Sequence, residues 1–470
     1  MNKKNGGLAK SAPYALITII GYVVSMITLP ILTNLFTKNE FGYILTMEAK
    51  ISLLISLFLI GIPQAYIRFY NKYKNENNLS IFNFNFFSLI SIILLISFGF
   101  SWFIFSYSNS DNEELIIVLA LIVSFSVIMQ QVSSVIRAKE KTFIHAMILG
   151  INNILIYGLP IISIYLFGLS IENYFISKLV VPLLMFFIIL LIIRKDFKIE
   201  KFRFPIQKEI IRYGAPLILV SMGGIIFSTG DRIIIDYMLG SESVAIYSVS
   251  AKIAHSIFQL LIFPITMVVF PMYIRIWEEK GKKETEKVLS KWLNFYIFIA
   301  IAIISGSMVI NEEIILILSN ESYLSGAILI PILVSGLLIY GAYYFISAGF
   351  FVENKTLTLG IIILISSILN LILSFFMGNY LGITGVATAT AISYVIFLLI
   401  SYIIGRKTLR ITIDILHIVK FVISGIIMGS ILSVIPSIGN IIIDLLLKFV
   451  IGVTVYTLLN IKFIKTQIRL

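Results

Sequence analysis

Lys50 and Lys252 are the residues of this chain whose type and position could do chemistry. Each lies inside a long apolar run, and each follows an alanine, as Ala49-Lys50 and Ala251-Lys252. An ionisable side chain at bilayer depth is rare and usually faces a partner or an aqueous cavity. Around Lys252, Ser248, His255 and Gln259 stand at i−4, i+3 and i+7, which on a helix is one stripe. A polar stripe of this kind suits water or an anionic ligand. Arg232, flanked by Asp231 and Asp236, is a further cation, and so is Lys178. Two readings of the Asp231-Arg232-Asp236 group stand side by side: partly exposed ion pairs near a membrane surface, or Arg232 as part of a cationic lining. Lys178 either snorkels to the surface or joins that lining, whereas Lys420 and Lys448 read as snorkelling. Glu48 precedes Lys50 by two residues, about 200° around a helix, so it points away from the lysine. It reads as a helix contact with Ser52 and Ser56, or as the partner of a neighbour.

The elements that must position these groups are membrane helices. About fourteen apolar runs follow one another, most of roughly 20–26 residues, and about 20 suffice to cross a hydrocarbon core of about 30 Å. The expected spans are 12–34, 42–66, 82–107, 115–136, 145–167, 173–193, 213–234, 244–272, 292–318, 326–351, 357–377, 385–405, 415–435 and 440–461. Composition agrees: 59% of residues are hydrophobic and 13% charged, about half the charge of a soluble domain. The N-terminal run is too long for the apolar part of a signal peptide and reads as a retained first span.

Net charge is +12, but its distribution argues against nucleic acid. Basic residues crowd every second loop, from Arg68, Lys72 and Lys74 through Arg137, Lys139 and Lys141 to Arg406, Lys407 and Arg410. With the tails, about 29 of the 36 basic residues fall on one side. The opposite loops carry Asp111, Glu113, Glu114, Glu242 and Glu321. The positive-inside rule then places both termini in the cytoplasm. The longest loop, about residues 194–212, mixes basic residues with Phe197, Phe202 and Phe204, and is expected to lie on the anionic inner leaflet.

The chain also repeats weakly. Ser11-Ala12-Pro13 matches Gly214-Ala215-Pro216, Phe41-Gly42-Tyr43 matches Ala245-Ile246-Tyr247, and Tyr66-Ile67-Arg68 matches Tyr273-Ile274-Arg275. Six spans per unit is an even number, so the halves point the same way, with a substrate site expected where the repeats meet. The expected organisation is residues 1–200 and 201–410 as two six-helix lobes, then 411–470 as two added spans and a tail. Positive-inside anchoring explains Arg68 and Arg275, and their symmetry also suits a gate for a phosphorylated headgroup. Pro30, Pro63, Pro264 and Pro271 are expected to bend the helices around them.

Several chemistries are excluded. Without cysteine there is no disulfide, thiolate catalysis, iron–sulfur cluster or cysteine zinc site. His145, His255 and His417 are scattered, and no His/Asp/Glu cluster has metal-ligand spacing. No phosphate-loop motif points to ATP hydrolysis. Asn78, Asn320 and Asn354 open glycosylation-type tripeptides of a kind common by chance.

Gly21, Pro30, Phe41-Gly42-Tyr43 and Gly61-Ile62-Pro63 through Arg68, then Asp231-Arg232, Ala245-Ile246-Tyr247 and Ala251-Lys252, resemble Wzx-type polysaccharide flippases. The likeness covers nearly the whole chain through loose motifs. It implies the fold of the multidrug/oligosaccharidyl-lipid/polysaccharide exporter superfamily: all-α, two MATE-like six-helix lobes around a cavity, plus two C-terminal helices. It also implies a transporter rather than an enzyme, with no cofactor, moving undecaprenyl-diphosphate-linked O-antigen or capsule repeat units across the bacterial inner membrane. Membrane lipids and other polysaccharide-assembly proteins would be its partners, and any coupling would be to a proton or sodium gradient. Lys50, Lys252, Arg232, Arg68, Arg275, Lys178, His255 and Gln259 would then contact the anionic substrate, an arginine as a fork and a lysine as a point charge. Three alternatives stand beside this reading. A multidrug exporter of cations fits basic membrane residues poorly, a membrane polymerase or ligase lacks its large outer loop, and a lipid II flippase of the same fold stays open.

Overall fold

The computed structural model describes residues 6–107, 112–353 and 355–468. Asp111 and Asn354, named above, and Lys3, Lys4 and Arg469, counted there among the basic residues of the tails, lie outside the described residues. The chain is helical along almost its whole described length. The first helices are α1 (Gly6–Leu35), α2 (Lys38–Leu59), α3 (Ile62–Asn75), α4 (Leu79–Ser106), α5 (Glu113–Ala138), α6 (Thr142–Phe167) and α7 (Ile171–Ile193). They are followed by α8 (Phe204–Leu239), α9 (Ser241–Ser307), α10 (Asn311–Leu318), α11 (Leu329–Gly341), α12 (Tyr343–Ile346) and α13 (Ala348–Val352). The chain closes with α14 (Thr356–Gly405), α15 (Ile415–Val434), α16 (Ile441–Leu459) and α17 (Ile461–Ile468).

Eleven helical stretches among the described residues are long and apolar enough to cross a membrane. Two of these, α9 and α14, contain a non-helical glycine, Gly281 (φ 76°) and Gly382 (φ 60°). Each therefore comprises two segments, and α1 adds a further apolar helix of 30 residues. Side chains such as Leu95, Phe167, Leu191 and Val434 stand exposed, which costs nothing where the surroundings are hydrocarbon. Inside, many of the buried small hydroxyl residues bond to their own helix; Ser124 donates to the Ala120 carbonyl one turn back at 2.9 Å.

Two compact units divide the chain: Met1–Glu40 with Thr46–Thr229, and Phe41–Leu45 with Gly230–Leu470. In the first, α5 packs against α4, α7 and α3, while α6 packs against α1 and α7. In the second, α11 packs against α9 and α14, and α15 packs against α9 and α16. There Phe298 gathers Phe421, Tyr456 and Phe463 into an aromatic core, with ring centroids 5.1–5.4 Å away.

The expected bend at Pro63 needs correcting. The second span does break, but at Ile60 and Gly61, both left-handed (φ 48° and 60°). Pro63 instead sits in the first turn of α3, where its missing N–H leaves no helical bond unmade. Pro264 and Pro271 lie within α9, whose non-helical residue is Gly281. Pro30 lies within an uninterrupted α1. The Ile60–Gly61 elbow rests on α8: a Cβ added at Gly214 would lie 2.2 Å from the Ile60 carbonyl oxygen. Only glycine permits that approach.

In the loop after α7 the large apolar side chains Phe197, Ile199, Phe202 and Phe204 stand exposed. A short turn, Arg194–Asp196, leads into an extended stretch, and α8 begins at Phe204.

Candidate functional site

In the first unit α2 places Glu48 and Lys50, and α7 places Tyr174 and Lys178 one turn apart. Lys178 is buried and forms an ion pair with Glu48, to which the Tyr174 hydroxyl also donates at 2.7 Å. The lysine ammonium stands 4.9 Å from the Tyr174 ring centroid, close enough for cation–π attraction. Glu48 thus finds its partner on another helix. Lys178 points inward rather than snorkelling. Lys50 is half-buried on α2, the helix of Glu48.

Arg68, on α3, is exposed and lies over the Tyr213 ring at 5.2 Å. Next to it Glu209 accepts from Lys72 at 2.7 Å and from the Tyr73 hydroxyl at 2.6 Å. These contacts bind α3 to the start of α8. Arg275 is exposed on α9.

In the second unit the Asp231-Arg232-Asp236 group is not a cluster of exposed ion pairs. Asp231 is buried, and three hydroxyls converge on it: Tyr247 at 2.5 Å, Thr390 at 2.9 Å and Ser374 at 3.3 Å. The Asn370 amide donates to the Thr390 oxygen at 3.1 Å, whereas the Asn370 carbonyl oxygen is buried without a hydrogen bond. Helices α8, α9 and both segments of α14 supply this shell, and its contacts are oxygen-rich. Such a set suits a proton or a small hard cation. Asp236 accepts from the Ser241 hydroxyl at 2.8 Å and so fixes the turn from α8 into α9.

Arg232 turns the other way. Its Nε donates to the buried Ser248 hydroxyl at 3.1 Å. Ser248, Lys252, His255 and Gln259 all lie on the unbroken part of α9, the last three half-buried. The structure therefore joins Arg232 to the polar stripe read from the sequence. Lys50 lies 12 residues into α2 and Lys252 lies 11 residues into α9, depths of roughly 17 Å along each axis.

Sequence reading did not find Asn370, Ser374 and Thr390. Asn370 and Ser374 are spaced i, i+4 in an apolar helix, a signal present but unused.

A family profile described as polysaccharide biosynthesis protein matches residues 8–277. An uncharacterized membrane protein of Methanocaldococcus jannaschii is 28% identical over 251 residues, covering 51% of this chain and 48% of that protein. A protein of Haloferax volcanii named probable low-salt glycan biosynthesis flippase Agl15 is 24% identical over 197 residues, covering 42% and 41%. The chain thus aligns with about half or less of the length of these curated relatives. Among solved structures the fold is similar to lipid II flippase MurJ in an inward closed conformation. The TM-score is 0.79 at 19% identity, over 97% of this chain and 99% of that one. It is also similar to an inward-facing multidrug resistance MATE transporter of the MOP superfamily, with a TM-score of 0.60 at 15% identity over 82% and 97%. At such identities the likeness concerns the fold, which is an all-α, multi-pass membrane architecture. With its profile match spanning more than half its length, the chain belongs to the polysaccharide biosynthesis protein family.

Proposed function

We propose that this protein flips lipid-linked oligosaccharides across the membrane. The observation that carries the reading is the pair of membrane-depth lysines, Lys50 and Lys252, at corresponding positions of two helices in a chain of this family. A diphosphate and a hydrophilic glycan cannot cross hydrocarbon unaided, whereas a polyprenyl tail can stay in lipid. A hydrated, cationic path lowers the barrier for the head. Lys50 and Lys252 would supply point charges to the diphosphate, and Arg232 a planar fork. His255 and Gln259 would extend the polar stripe toward the sugar. Arg68 and Arg275 would meet the phosphates at the basic side. The name of the Haloferax relative, a glycan biosynthesis flippase, supports the same class.

The finer reading is an undecaprenyl-diphosphate-linked O-antigen or capsule unit, moved from the cytoplasmic to the periplasmic leaflet of a bacterial inner membrane with both termini cytoplasmic. The bias of basic loops supports that orientation. The oxygen shell around Asp231 supports coupling to a proton or sodium gradient, since a bound cation would answer both the carboxylate and the unpartnered Asn370 oxygen. Deleting the gene in its host and recovering lipid-linked oligosaccharides tests the proposal. Accumulation of complete units on the cytoplasmic face is expected; unaltered surface glycan with no accumulation would contradict it.

A further inference from the structure

A second basic site lies in the first unit, away from the membrane-depth lysines. A cavity of about 360 Å³ is walled by Lys74, Lys195 and Lys198, with Asn77, Ser80 and Asn83. It sits where the α3–α4 turn meets the loop after α7, on the side of the chain that carries the basic loops.

The wall is built rather than incidental. Asn83 is buried at its floor; its carbonyl oxygen accepts from the Tyr66 hydroxyl at 2.8 Å and its amide reaches the Asp196 carbonyl at 3.4 Å. Asp196 is in turn ion-paired with Lys139. Two residues on, the buried Asn85 holds the same loop twice. Its amide donates to the Lys201 carbonyl at 3.1 Å, and its oxygen accepts from the Arg203 N–H at 2.6 Å. Two asparagines of α4 therefore fix the backbone that carries Lys195 and Lys198. Asn78 gives α4 no side-chain cap, so the first amide groups of that helix, at Leu79 and Ser80 on the cavity wall, add positive potential.

We propose that this pocket binds the phosphate of an anionic lipid headgroup. Its chemistry is that of a phosphate site: three ammonium groups, amide donors and a helix start, with Asp196 engaged by Lys139. The neighbouring loop argues for a lipid source. Phe197, Ile199, Phe202 and Phe204 all stand exposed beside the pocket, as side chains seated at the headgroup–acyl boundary do. None of its lining residues is among those proposed to meet the flipped glycan, and the proposal does not depend on that reading. It would anchor the α3–α4 turn and the post-α7 loop to the leaflet they face.

The test uses the full-length protein purified in neutral detergent, with native mass spectrometry reading the retention of short-chain phosphatidic acid and short-chain phosphatidylcholine. Each of Lys74→Ala, Lys195→Ala and Lys198→Ala is expected to weaken phosphatidic acid retention about fivefold, and the triple variant about a hundredfold. Phosphatidylcholine retention should stay as in the wild type. A Lys280→Ala/Lys283→Ala/Lys287→Ala control, which removes as much charge as the triple variant from an exposed stretch elsewhere, should bind like the wild type. Inorganic pyrophosphate should compete with phosphatidic acid only weakly, because it lacks the apolar part. Wild-type phosphatidic acid retention in the triple variant would overturn the proposal. So would pyrophosphate binding in the pocket without any preference for the anionic lipid.

Discussion

Lys178 of α7 is buried against Glu48 of α2, two residues 130 positions apart whose charges meet inside one unit of a membrane protein. Removing one partner of a buried pair leaves the other uncompensated, at about 3–5 kcal/mol when burial is complete. The Glu48 side chain keeps 28% of its surface exposed, so Lys178→Ala should cost nearer to about 2 kcal/mol. The double variant Glu48→Gln/Lys178→Met, which removes both charges and keeps the volume, should recover most of it. Thermal unfolding of the purified proteins checks this, and a double variant as unstable as the single one would rule out the pairing.

The approach of Ile60 to Gly214 makes a second prediction. A methyl group at position 214 would collide with backbone, not with a movable side chain, and overpacking of that sort costs about 1–3 kcal/mol. Gly214→Ala should lower the unfolding midpoint and the yield of folded protein. Gly158→Ala, where nothing lies within 4 Å of the added atom, should leave both unchanged. Equal behaviour of the two variants would mean that the elbow does not rest on α8 so tightly.

Asp231 allows stability and coupling to be separated. Asp231→Ala takes away the acceptor of the buried Tyr247 and Ser374 hydroxyls, whereas Thr390 keeps the Val386 carbonyl, a loss of about 1–3 kcal/mol. Asp231→Asn keeps the shape and an acceptor but removes the charge. It should fold, and its transport should lose dependence on sodium or proton gradients. Gradient dependence that persists in Asp231→Asn would exclude this shell as the coupling site.

Much of the fold was legible because hydrocarbon imposes a simple rule: each span must be long, apolar and helical. The break at Ile60–Gly61 was less so, since proline is the conspicuous breaker while Ile60 carries no local sign of a left-handed backbone. The site was half visible. The stripe Ser248, Lys252, His255 and Gln259 follows from helical spacing alone. The partners of Glu48 and Asp231 do not, because Lys178, Ser374 and Thr390 lie more than a hundred residues away in sequence. Pairing across helices is decided by packing, which a single sequence does not display.

The membrane-depth lysines carry the central claim, and flipping in reconstituted vesicles tests it most directly. Full-length protein is placed in vesicles containing a polyprenyl-diphosphate oligosaccharide, and exposure of the glycan to an impermeant lectin or periodate is followed in time. Wild-type protein should speed exposure well above that in empty vesicles, and Lys50→Ala/Lys252→Ala should reduce the added rate at least about tenfold, the equivalent of about 1.4 kcal/mol, while inserting normally. A wild-type rate no faster than that of protein-free vesicles, or a double variant that flips as fast as the wild type, would contradict the account.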